Sequence, residues 1–167
     1  MTGESGAGHR LAGTLHVALP PDQAFRLFTP RGEEDWAPGW APRFPAAAAI
    51  DQIDDTAPGT VFETHAEGCT TTWMVVDRVP GRSIRYARVV PHRNAGTVTV
   101  ALDSAENPSP GSRVTVTYEL TALTDAGRRH LEEFASGYAA YLRSWQDAIG
   151  ASLDPRASTD RSPGARP

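Results

Sequence analysis

Lysine is missing from this 167-residue chain; all 16 basic residues are arginine. That absence excludes Schiff-base chemistry, a phosphate-loop lysine and a lysine general base. Cysteine is nearly missing too. Cys69 stands alone, so neither an internal disulfide nor a cysteine-based zinc site can form. Within EGCTTTW it reads as a partly buried thiol at a turn or strand start. No apolar run approaches the ~18 residues of a membrane span. The opening MTGESGAGHR places no apolar stretch behind a basic one, so no secretory signal is read there and a cytoplasmic location is expected. Positive charge is in deficit. A formal net charge of -4 argues against a nucleic-acid binder held through phosphate contacts, which needs clustered cations. No catalytic triad, HExxH motif or metal-ligand spacing occurs, so neither a metal nor a cofactor is expected.

What is present belongs to an ordinary globular domain, 40% hydrophobic and 22% charged. A chain of this length forms one domain and buries roughly 70% of its unfolded surface. Its organising stretch is Thr124 to Gly150, where Leu131, Phe134, Tyr138, Tyr141, Leu142, Trp145 and Ile149 recur at spacings of three and four. The pattern predicts one long helix with Thr124 as N-cap and Gly150 as the stop, roughly 40 Å long at ~1.5 Å per residue. Such an aromatic face requires a large apolar partner.

The partner is a series of strand signals upstream. Residues 1–9 are a Gly-rich, polar lead expected to be disordered. RLAGTLHVAL, from Arg10 to Leu19, alternates Leu11, Gly13, Leu15 and Val17 against Ala12, Thr14 and His16, as a first strand does. Pro20-Pro21-Asp22 ends it and opens a short helix with Phe25 and Phe28 on its buried side. A long Pro-, Gly- and Trp-rich loop follows. Further strands are read at Ala48 to Asp54, Thr60 to His65, Thr70 to Arg78, Ser83 to Val90, Asn94 to Ser104 and Arg113 to Ala122. The tail 151–167 has almost no apolar residue and is expected to be disordered. The architecture is α+β: one antiparallel sheet of about seven strands curling around one long C-terminal helix, with one or two short helices after strand 1.

This order resembles the SRPBCC or START-like superfamily with its helix-grip fold, in its polyketide cyclase/dehydrase-like branch. The resemblance is carried by PPDQAFRLF, WAPGWAPRF, GTVFET, TTWMVVDRVPGRSIRYARVVP and SRVTVTYELTALTDAGRRHLEEFASGYAAYLRSW, and it spans residues 10–150. It implies a deep cavity between sheet and helix that holds hydrophobic small molecules. Members of the superfamily serve as polyketide cyclases or aromatases, as lipid or hormone carriers, and as chaperone co-factors.

Candidate site residues follow from both readings. Trp36, Trp40 and Phe44 lie where helix-grip proteins place the cavity mouth, as a lid over an apolar ligand or as a plug of core. Phe62, Trp73, Tyr86 and Tyr118 on strands, with Phe134, Tyr138, Tyr141 and Trp145 on the helix, line a pocket or pack as core. Tyr and Trp sit poorly in a dry interior unless their O–H and N–H find partners. Arg88 shares strand parity with Ile84 and Tyr86; the reading favoured for an unpaired arginine turns Arg85 inward and leaves Arg88 at a solvated edge. His65, beside Glu63 on one strand face, is a weak acid/base candidate, with Tyr86 and Arg88 as the other weak catalytic candidates. His92 in a turn, His130 on the outer helix face, and Asp103 are weaker still. Three functions are in contention: binding of a hydrophobic, aromatic or polycyclic small molecule; a cyclase/aromatase-like enzyme using the same cavity; and a protein-interaction module with a collapsed cavity. The expected partner is a hydrophobic small molecule, with no nucleic acid and no membrane span, and the expected state is a monomer or weak homodimer.

Overall fold

The computed structural model describes residues 8–45 and 54–156. Six strands, β1 (Gly8–Val17), β2 (Val61–Ala66), β3 (Cys69–Val79), β4 (Ser83–Val90), β5 (Asn94–Ala105) and β6 (Gly111–Ala122), pair antiparallel in the order β1-β6-β5-β4-β3-β2. The N-terminal strand closes against the C-terminal one, Leu15 opposite Val114 and Leu11 opposite Tyr118. Between β1 and β2 come α1 (Pro21–Ala24) and two single-turn 3-10 helices, Phe25–Phe28 and Gly32–Asp35. The long helix α2 (Asp125–Leu153) follows β6. Among the described residues no helix is long and apolar enough to cross a membrane.

Alternation along the strands sets the core. Val98, Val100 and Leu102 of β5 and Val114, Val116, Tyr118 and Leu120 of β6 are buried on the face that α2 covers. Leu131, Tyr138, Leu142 and Ile149 answer from the helix. Gly13 makes the closest approach possible, because a Cβ there would press into Leu142 and Tyr138. Phe25 and Phe28 are buried, as their spacing predicts.

Thr124 caps α2 as expected. Its hydroxyl oxygen accepts from the Gly127 N–H at 3.0 Å and donates to the His92 carbonyl at 2.6 Å, tying the helix start to the β4–β5 turn. The helix end differs from expectation. Gly150 does not stop it; the helix runs on to Leu153, which packs against the core, and ends before Asp154 and Pro155. Burying Leu153 outweighs the cost of one helical glycine, about 1 kcal/mol, and the residue preceding proline takes the extended backbone that stops the turn.

Two other boundaries shift. Gly8 and His9 pair with Thr121 and Leu120, so the strand begins inside the expected lead; residues 1–7 lie outside the described residues, as do 157–167 of the tail. Among the described residues the sheet has six strands, where about seven were expected. The expected strand at Ala48 to Asp54 falls largely on residues 46–53, outside the described residues, and Asp54 itself sits beside a turn where its carboxylate meets Arg78 at 2.8 Å.

Candidate functional site

Between the inner sheet face and α2 lies a cavity of about 380 Å³, within the range of small-molecule sites, roughly 300–1,000 Å³. The long loop after α1 closes one side of it. Gly32 is needed there: a Cβ would run into the Arg26 carbonyl, while the Thr29 hydroxyl donates to that same carbonyl at 2.8 Å and accepts the Gly32 N–H at 3.0 Å. The resulting 3-10 turn directs Glu33 and Trp36, three residues apart, to the cavity side.

The tryptophans of this loop are anchored. Trp36 donates its indole N–H to the Leu27 carbonyl at 2.7 Å and stacks edge-on with Trp145 of α2, centroids 5.3 Å apart. Trp40 donates to the Pro30 carbonyl at 2.7 Å and meets Trp73 edge-on at 5.7 Å. On the sheet, Trp73 donates to the Thr64 hydroxyl at 3.0 Å and lies parallel to Phe62. Tyr86 donates to the Phe28 carbonyl at 2.7 Å, and Tyr138 donates to the Val116 carbonyl at 2.5 Å. Each of these polar handles serves the fold, and each presents apolar ring surface to the interior.

Arg88 is different. The β4 register puts Ile84, Tyr86 and Arg88 inward and Arg85 outward, where it reaches Asp77 at 3.9 Å. This reverses the reading favoured from sequence. The pleat decides it: Ile84 and Tyr86 must be buried, and period-two alternation carries Arg88 in with them. Its guanidinium lies 5.1 Å from the Trp73 ring centre and 6.0 Å from that of Tyr118, and its Nε–H is buried without an acceptor. Two aromatic faces stabilise the cation in place of a carboxylate. Burial pulls its pKa below the ordinary guanidinium value, with the neighbouring Tyr118 and Tyr141 hydroxyls opposing that shift; an arginine so perturbed still carries its charge at neutral pH.

Tyr118, Tyr141 and Glu33 complete the polar wall. Burial raises both tyrosines above the ordinary phenol value; for Tyr141 the neighbouring Tyr118 and Trp145 side chains partly offset the rise. Tyr141 keeps 36% of its surface uncovered, and that surface faces the cavity and a second hollow of about 480 Å³. Arg88, Tyr118 and Tyr141 line both spaces, the second being completed by Glu67, Asn94, Leu120, His130, Leu131, Glu133 and Phe134. Glu33, 8% exposed, lines the main cavity, and among the described residues its carboxyl has neither an ion pair nor a hydrogen bond. Burial pushes its pKa up to about 8.

The predicted ligand residues therefore separate into groups. Trp36, Trp40, Phe62, Trp73, Tyr86, Tyr118, Tyr141 and Trp145 line the main cavity. Phe134 lines the second hollow, and Tyr138 faces a small groove against β1. Phe44 packs on Phe62 under the Arg31 guanidinium, away from the cavity. His65 is exposed at the rim, while its neighbour Glu63 turns away to pair with Arg43 at 2.8 Å. Among the described residues no group of His, Cys, Asp and Glu is placed to hold a metal. Glu33 was missed. The overlooked signal is that an inward Trp36 carries the residue three before it inward in a 3-10 turn.

The family model described as polyketide cyclase / dehydrase and lipid transport matches residues 8–145. The chain belongs to this family. Solved structures with the same fold include protein MLL2253 from Mesorhizobium loti, 17% identical, TM-score 0.62, covering 87% of this chain and 99% of that one. DynU16, from the dynemicin biosynthetic locus, is 13% identical with TM-score 0.60, covering 88% of this chain and 48% of that one. The Aha1 dimer from Colwellia psychrerythraea is 14% identical with TM-score 0.58, covering 87% and 99%. No curated protein sequence matches the chain. At these identities the structural likenesses establish the helix-grip fold; the family match, over most of the chain, establishes kinship.

Proposed function

We propose that this protein binds an aromatic or polycyclic small molecule in the cavity between sheet and α2, with an anionic or enolic oxygen of that molecule placed against Arg88. The single observation that carries the reading is the Arg88 Nε–H, buried without an acceptor on a wall rich in Trp, Tyr, Phe, Val and Ala. Apolar burial supplies most of the affinity, at roughly 25 cal/mol per Å² removed from water, and the guanidinium supplies orientation. The ligand-binding residues are Trp36, Trp40, Phe62, Trp73, Tyr86, Tyr118, Tyr141 and Trp145. The cavity volume counts against an interaction module with a collapsed interior. A cyclase/aromatase-like enzyme is the second reading, favoured by the Glu33 carboxyl facing the same space. The test is native mass spectrometry of the protein purified from its own host, followed by organic extraction. An aromatic compound carrying an acidic or enolic oxygen, near one per chain, is the expected result. A clean unliganded mass, with no thermal shift across polycyclic acids and acyl compounds, would refute binding.

A further inference from the structure

We propose that Glu33 is a general acid/base, able to move a proton on and off an activated carbon of a bound aromatic or ketonic substrate. The proposal rests on the cavity reading above and adds chemistry to it. Glu33 sits on the wall with nothing to hold it: among the described residues no side chain or backbone N–H donates to its carboxyl, in contrast to every tryptophan of the loop beside it. The groups around it supply no counter-charge. Tyr86 from β4, Tyr118 from β6 and Tyr141 from α2 all feel its charge, and Asp55 adds to its effect on Tyr86. Glu34 and Asp35 on its own turn are exposed, Arg31 lies over Phe44, and His65 is exposed at the rim. Arg88 acts on Tyr118 and Tyr141 in the opposite sense to Glu33, lowering what Glu33 raises, so the two phenols stand within reach of both groups. Burial alone raises the Glu33 pKa to about 8, and a carboxyl titrating near neutral pH has both protonation states within reach.

The step balances within the substrate. The Glu33 carboxylate takes a proton from the carbon beside a ketone; the C–H pair forms the C=C bond and the carbonyl π pair moves to oxygen, which Arg88 receives. In a β-hydroxy ketone the enolate then re-forms the carbonyl and expels the hydroxyl, which leaves as water with the proton Glu33 had taken. No oxidant, reductant or second substrate is required.

The probe is 5-nitrobenzisoxazole, a flat apolar aromatic whose C3 proton, once removed by a base, breaks the N–O bond and releases a coloured cyanonitrophenolate. The protein is expected to turn it over with saturation, the rate rising with pH to a midpoint near 8, and Glu33→Gln to lose on the order of 100-fold or more. Glu33→Asp, which keeps a carboxyl, should retain part of the rate. Binding is followed separately by quenching of tryptophan fluorescence. Quenching without turnover, or equal turnover by wild type and Glu33→Gln, overturns the acid/base role and leaves the binding reading standing. No quenching at all counts against both.

Discussion

Two sets of side chains around the cavity obey opposite rules. On the loop side, Trp36 and Trp40 each spend their N–H on a backbone carbonyl, Leu27 and Pro30, and wedge against Trp145 and Trp73. By contrast the Arg88 Nε–H on the sheet is buried without an acceptor, and the Glu33 carboxyl, carried by the loop itself, lines the cavity with no hydrogen bond or ion pair among the described residues. A buried polar group without a partner costs about 1–3 kcal/mol, more when charged, so a fold under selection for stability alone would remove it. The comparison assigns the tryptophan N–H groups to architecture, leaving their ring faces to the cavity, and the arginine and glutamate to function.

Changes in each set should break different properties. The largest effect belongs to Glu33→Gln. Because the folded pKa of about 8 exceeds the ordinary 4.5, the folded state holds the proton more tightly; both states are protonated below pH 4.5, and stability drains away as pH rises from there to about 8, then levels. Wild type should therefore lose on the order of 4 kcal/mol across that interval, and Glu33→Gln should remove the slope, as urea unfolding at pH 5 and pH 8.5 will read. Trp36→Ala comes next, destabilising by about 3–5 kcal/mol at any pH in the same assay, as large core truncations do. Arg88→Met is expected to leave stability unchanged or raise it, since a buried unpaired cation is replaced by an apolar chain of similar length; it should weaken binding of an aromatic carboxylate by 10- to 100-fold in calorimetry, the equivalent of about 1.5–3 kcal/mol for a charged hydrogen bond. His65→Ala, at the exposed rim, should change both properties by less than ~0.5 kcal/mol.

Much of this was legible in the chain. The strict alternation in RVTVTYEL and the three-and-four spacing from Leu131 to Ile149 specify strand, helix and their facing sides without any structure. Boundaries were harder, as Gly150 shows: a local stop signal yielded to the burial of Leu153, which lies three residues beyond it. Half of the site was legible as well. Aromatic side chains announce a pocket wall, yet which of them face it depends on register, and Phe44 and Tyr138 turned elsewhere. The polar half was hidden for a different reason. Arg88 was read as solvated because burying an unpaired arginine is costly, an expectation that describes groups chosen for stability, and Glu33 was not weighed at all.

The central claim is that Arg88 selects an anionic aromatic guest. Isothermal calorimetry with 2-naphthoate and its neutral amide, at pH 7 on wild type and Arg88→Met, tests it most directly. The account predicts at least a tenfold preference for the carboxylate in wild type, the size expected of one charge-assisted hydrogen bond, and loss of that preference in Arg88→Met. Equal affinity for the two ligands, or a preference that survives the substitution, would contradict it.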